Sequence, residues 1–152
     1  MMDNIDKKIL NILQEKFRIS YKDLGKEMGM AASSVHNRVQ KMIDTGIIRK
    51  ENTLIDPFKV GFETIAIIGL TVDPLKMKEV AEKIASYDNV QLVATSTGDH
   101  DLVVRVVEKN DKSLWRFINK KIKTIEGIRT QMDVSSLIDI FKMNHRINLK
   151  VK

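Results

Sequence analysis

The sequence predicts an α+β protein in two parts: an N-terminal three-helix, winged helix-turn-helix domain and a C-terminal ferredoxin-like domain of order βαββαβ. Three observations predict it. Apolar residues recur at helical spacing three times before Gly46. After Phe62, dense or alternating apolar runs trade places with helical stripes. The breaks between these segments fall on Gly, Pro, Asp and Ser, the residues that end helices and make turns.

Ile5, Ile9, Ile12, Leu13 and Phe17 lie on one face of a first helix. Asp3 or Asn4 can accept from its free first-turn amides, and Asp6 suits the positive end of its dipole. Ser20 reads as the N-cap of a second, short helix, with Asp23 three residues on. Leu24 and Met28 form its inner face. Gly29 stops it, because glycine takes the left-handed backbone without strain. A third helix starts at Ala32 or Ser33 and buries Val35, Val39, Met42 and Ile43 until Gly46.

A short helix, a glycine turn and a second helix with a polar outer face is the helix-turn-helix plan, whose second helix enters the DNA major groove. The outward set here is Ser33, Ser34, His36, Asn37, Arg38, Gln40 and Lys41. Asn37 can pair with adenine, and Arg38 with guanine or a phosphate. Ser33, Ser34 and the helix N-terminus suit phosphate oxygens, as does Lys41 one turn later. Residues 1–50 are therefore expected to form a DNA-binding domain. Ile47-Ile48 and Thr53-Leu54-Ile55 flank a polar tip, Arg49 to Asn52, as a small β-wing or a hinge strand. Asp56-Pro57 is a turn signal, and residues 51–62 are assigned as linker.

Residues 63–152 are expected to form the second domain. Thr64 to Val72 is too uniformly apolar for a strand with one wet face. Asp73-Pro74 opens a helix with Met77, Val80, Ala81, Ile84 and Ala85 inward. Val90 to Thr97 and Leu102 to Val107 are strands joined at Gly98-Asp99-His100. Asp111 or Ser113 caps a helix that buries Leu114, Phe117, Ile118, Ile122 and Ile125, with Trp115 beside the stripe as a partly buried side chain. Ile128 to Val134 alternates as a half-buried strand. Both helices cover one sheet face. The other is open, and a half-covered small sheet calls for a partner. Leu137, Ile138, Ile140, Phe141 and Met143 form either a last core strand or a subunit interface.

Composition excludes several functions. With no cysteine among 152 residues there is no disulfide, thiolate metal site or thiol nucleophile. No apolar run reaches membrane-spanning length, and the N-terminus lacks an export signal, so a cytoplasmic location is expected. The net charge of +6 divides equally between residues 1–60 and 61–152, so a polyanionic partner must be recognised by a motif and not by a basic tail. The three histidines are scattered. No phosphate-binding glycine loop, nucleophile elbow or metal-ligand spacing is present. No catalytic residue, metal or cofactor is therefore assigned.

The ordered pieces Asp3-x-x-Asp6-x-x-Ile9-Leu10-x-x-Leu13, Leu24-Gly25-x-x-Met28-Gly29-Met30, Val35-x-x-Arg38-Val39-x-x-Met42, Gly46-Ile47-Ile48, Asp56-Pro57, Gly61 and Thr97-Gly98-Asp99-His100-Asp101-Leu102 resemble the Lrp/AsnC family of feast/famine transcription regulators over nearly the whole chain. The resemblance implies a regulator that binds a pseudo-palindromic operator in double-stranded DNA. It also implies a homodimer that assembles further, commonly to an octamer, and an amino-acid effector at subunit junctions. By position, effector contacts would come from Thr97, Gly98, Asp99, His100 and Asp101, with Gln131 and Asp133 on the facing strand. Asp99, Asp101 or Asp133 can hold an α-ammonium, and exposed amides a carboxylate. The sequence departs from the family in three places. An aromatic residue is more usual at His100, and hydroxyl side chains near Gln131 and Asp133. Ala31 also replaces the usual serine after the helix-turn-helix turn. Two alternatives stand beside this reading: an effector-binding assembly protein that does not bind DNA, and an enzyme similar to siroheme decarboxylases, which share the scaffold.

Overall fold

The computed structural model describes residues 2–16, 18–49 and 55–151. They divide into two compact units, Met1–Thr53 with Lys142–Lys152, and Leu54–Phe141. Phe17 and, in the expected wing, residues 50–54 lie outside the described residues.

In the first unit α1 spans Asn4–Glu15, α2 Tyr21–Met28 and α3 Ala32–Asp44. Asp3 caps α1 in a full capping box with Asp6. Ser20 Oγ accepts from the Asp23 amide at the start of α2. Gly29 closes α2 with φ 63°, and only Met30 and Ala31 separate it from α3. The three helices meet in a core of Ile9, Leu10, Leu24, Val35, Val39 and Met42. Truncating one of the fully buried members, such as Val35, removes transfer energy and leaves a void, at a cost of about 2 kcal/mol or more.

The described part of the linker forms no strand. Pro57 and an Asp56 side chain that accepts from the Phe58 amide turn the chain into the short 3-10 helix Phe58–Val60 instead.

The second unit contains β1 Thr64–Val72, α4 Met77–Ala85, β2 Val90–Thr95, β3 Leu102–Glu108, α5 Asp111–Phe117 and β4 Ile128–Ser136. The sheet order is β2-β3-β1-β4, with all neighbours antiparallel. This is the ferredoxin-like arrangement. Ala66, Ile68, Leu70 and Val72 point from β1 towards the helices, where they meet Val80, Ile84, Leu114, Phe117 and Ile122. The period of two puts Ile67, Gly69 and Thr71 on the opposite, open face. Asn110, one residue before the expected caps, holds the start of α5 by a capping box with Ser113. Beyond Phe117 the helix continues for one π-helical segment, Ile118–Ile122, which keeps Ile118 and Ile122 buried. Trp115 stands off that stripe and is 64% exposed, not partly buried as expected.

The C-terminal segment does not follow the sequence reading. The second domain is expected to run to residue 152, but the chain leaves that unit at Phe141, and Lys142–Lys152 belongs with the helices. No last core strand forms. Leu137 donates one backbone bond to Ile65, after which Ile138 and Phe141 stand 89% and 97% exposed. Leu149 instead packs on the three-helix core.

Candidate nucleic-acid interface and ligand site

The outer face of α3 is the first candidate site. Val35, Val39 and Met42 turn inward, and the helical period then sends the residues between them outward. Ser33, Ser34, His36, Asn37, Gln40 and Lys41 are all exposed. No side chain caps this helix, because its N-cap is Ala31. The first-turn amides and the positive end of the dipole therefore face outward, an arrangement that attracts a phosphate. Gln40 donates to Asp44 Oδ1 at 2.8 Å within the helix. The His36 ring lies 5.3 Å from the ring of Tyr21, the first residue of α2. Tyr21 is 40% exposed and joins the same surface. Sequence reasoning missed it, although the Ser20 cap already placed it at the start of the neighbouring helix.

Arg38 differs from the rest. Its Nη1 donates to Asp3 Oδ2 at 2.8 Å and to Asp6 Oδ1 at 2.7 Å, so the guanidinium is tied to the start of α1. Its side chain is only partly exposed. The Asp6 backbone N–H, then Arg38, hold the Asp3 carboxyl below the ordinary carboxylate range, and the two aspartates raise the arginine in return. The expected contact of Arg38 with a guanine or a phosphate therefore competes with this ion pair: Nη1 is shared by two carboxylates and fixes α3 against α1, while Nη2 and Nε keep their own N–H donors. The repeated Asp3-x-x-Asp6 at a helix start was the signal that could have shown this.

The second candidate site lies on the open face of the other unit. The loop from β2 to β3 carries Thr97, Gly98 and Asp99, all exposed. Asp101 Oδ2 accepts from the Val72 amide at 2.9 Å, its backbone N–H donates to Leu70, and its carbonyl accepts from Ser96. This carboxylate fastens the loop to the end of β1 through Oδ2. The His100 ring lies flat on Gly69, where a Cβ would come within 2.2 Å of its Cδ2. Nε2 of His100 reaches Asp133 Oδ2 at 3.0 Å, and Nδ1 is buried with no partner. Gly69 and Asp133 are direct partners in the β1–β4 register, so the ring spans two strands. Gln131 and Asp133 are exposed on β4, an edge strand. The structure thus joins His100 with Asp133 and uses Asp101 for the fold. It shows no contact that gathers Thr97, Asp99 and Gln131 with them. Among the described residues no group of three metal-binding side chains occurs.

A three-helix head with a polar third helix, followed by a ferredoxin-like unit with an open sheet face, defines the class of helix-turn-helix regulators with a ligand-binding module. The comparisons give the same result. The AsnC-type helix-turn-helix domain matches residues 2–43, and the Lrp/AsnC ligand binding domain matches residues 65–144. An uncharacterised HTH-type transcriptional regulator of Pyrococcus furiosus is 43% identical over 130 residues, which cover 86% of this chain and 88% of the relative. The HTH-type transcriptional regulator Ptr1 of Methanocaldococcus jannaschii is 37% identical over 128 residues, 84% of this chain and 86% of that protein. The structure of AsnC from E. coli superposes with a TM-score of 0.87 at 25% identity, covering 96% of this chain and 98% of AsnC. The chain belongs to the Lrp/AsnC family of DNA-binding transcriptional regulators.

Proposed function

We propose that the protein binds a pseudo-palindromic operator in double-stranded DNA as a homodimer, and that dimers assemble further, towards an octamer. The observation that carries this reading is the outer face of α3, with Ser33, Ser34, His36, Asn37, Gln40 and Lys41 exposed around an end that no side chain caps. Asn37 reads a base edge. Ser33, Ser34, Lys41 and the first-turn amides hold phosphates. Arg38 holds the helix against α1 through Nη1 and offers its remaining N–H groups to a guanine or a phosphate. The open sheet face supports self-association, as do the exposed apolar side chains of Leu92, Ile138 and Phe141.

A free amino acid is the effector in this reading. Its site is built from the β2–β3 loop, with Thr97, Gly98, Asp99 and His100, and from Gln131 and Asp133 on β4. Asp99 and Asp133 attract an α-ammonium group, and loop amides face the carboxylate. The effector acts only by binding two assemblies unequally, which changes the spacing of the DNA-binding heads. The protein works by binding and not by catalysis, and in the cytoplasm. No described helix is long and apolar enough to cross a membrane.

The test is selection of genomic DNA fragments by the purified protein with and without mixed amino acids, followed by footprinting. Protection of two half-sites about one helical turn or a multiple apart is expected, with affinity that falls steeply with salt. Protection indifferent to sequence at physiological salt would remove the regulator reading. Unchanged sedimentation and affinity across all amino acids would remove the effector.

A further inference from the structure

The last residues of the chain lie along α1, and α1 holds them mainly by their backbone. Asn11 donates from Nδ2 to the Leu149 carbonyl at 2.9 Å, and its Oδ1 accepts from the Leu149 amide at 3.2 Å. Gln14 repeats the pattern on Ile147, donating from Nε2 at 2.9 Å and accepting through Oε1 at 2.7 Å. Asn11 and Gln14 are three residues apart and share one helix face. Their targets are two residues apart, the interval at which a strand presents both backbone groups to one side. The two carboxamides therefore do for this segment what a neighbouring strand would do. Arg146 adds an ion pair with Glu15, and Leu149 inserts against the helical core.

Two ordinary side-chain amides doubly bonded to alternate residues make a selected fit, because a chance contact satisfies one group and leaves the other to water. The chain also leaves the first unit near residue 54 and re-enters it at Lys142, so the two units share two covalent crossings.

We infer that residues 142–151 are a second tether of the DNA-binding head: α1 docks the backbone of Ile147 and Leu149, and this restraint sets how well two heads engage two half-sites at once. The inference rests on the proposal that DNA is bound by a dimer. A head held by one linker samples many placements. Pinning its second crossing removes much of that freedom and raises the effective concentration of one head at its half-site once the other is bound. A single half-site gains nothing from the tether.

The experiment uses the full-length protein and an Asn11→Ala/Gln14→Ala variant, whose substitutions replace a half-buried and an exposed side chain and none of the buried residues of α1. Residue-resolved amide exchange should show Ile147 and Leu149 protected in the wild type, and Asn148 and Lys150 less so. The variant should lose at least roughly tenfold of that protection, while the amides of α1 keep theirs. A duplex selected by the wild-type protein should bind the variant roughly tenfold more weakly, and the same duplex cut to one half-site should bind both proteins within about twofold. Ile147→Pro, which removes one donor from outside any helix or strand, should act in the same direction. Unprotected Ile147 and Leu149 in the wild type would overturn the docking. Unchanged affinity for the full duplex, or equal loss on both duplexes, would overturn the tether. A wild-type protein that selects no DNA would refute the regulator proposal and with it the tether, while the exchange pattern still decides the docking on its own.

Discussion

Replacing Gly69 with alanine should displace His100. The new methyl carbon would lie 2.2 Å from Cδ2, 2.5 Å from Cγ and 2.6 Å from Nε2 of that ring, all inside van der Waals contact. Cγ is anchored close to the backbone, so rotating the ring alone cannot relieve the overlap, and the turn at residues 98–100 must lift. The bond to Asp133 at 3.0 Å is then lost. Overpacking of this kind costs about 1–3 kcal/mol. The lost bond adds little, because Asp133 is largely exposed and solvent screens the pair. An exposed turn yields more easily than a core, so the expected sum is about 2 kcal/mol, or about 10 °C in melting temperature for a unit of this size. The cause is tested by a double-mutant cycle in urea or thermal unfolding. In a His100→Ala background the methyl group has room, and Gly69→Ala should cost less than about 0.5 kcal/mol. Additivity of the two substitutions to within about 0.5 kcal/mol would refute the steric argument.

Three further outcomes follow from the head. Asn37→Ala should leave the melting curve within the scatter of surface substitutions and weaken specific binding at least roughly tenfold in a gel-shift titration. Arg38→Ala should lower the melting temperature of the head, because it strands two carboxylates; a fold unchanged by Arg38→Ala would return that side chain to the reading face. Asp3 titrates below the ordinary carboxylate range, so its contribution is complete above pH of about 4 and disappears as pH falls through its lowered value. Melting followed by circular dichroism from pH 5 downward should show this loss, and Asp3→Asn should flatten the acid limb. An identical acid limb in the variant would contradict the assignment.

The elements were legible because each carries its own local rule. Ser20, Gly29 and Asp73 mark ends, and the stripes of Val35, Val39 and Met42 or Leu114, Phe117 and Ile118 need only the helical period. β1 was read to the residue from its apolar density. What escaped the sequence depended on partners far along the chain. Nothing near Arg38 says that Asp3 and Asp6 will take it. Nothing near Asp101 says that the Val72 amide will occupy its carboxylate. Leu149 lies 138 residues from Asn11, and no periodicity spans that distance. Trp115 erred in the other direction, since a large aromatic side chain suggests burial unless its neighbours are already buried. The α3 face was legible because a solvated helix face and a DNA-reading face obey the same period. That period cannot separate Asn37, which points out, from Arg38, which turns back.

The segment docked on α1 also orders events during synthesis. At about 5–20 residues per second the ribosome needs roughly five to twenty seconds to add the stretch between the third helix and the returning tail. Throughout that interval Asn11 and Gln14 have only water as partner. The portion translated first is therefore the one completed last. An insertion between Arg146 and Leu149 would disturb that late closing step, whereas one placed at the loop of residues 97–99 would leave it untouched.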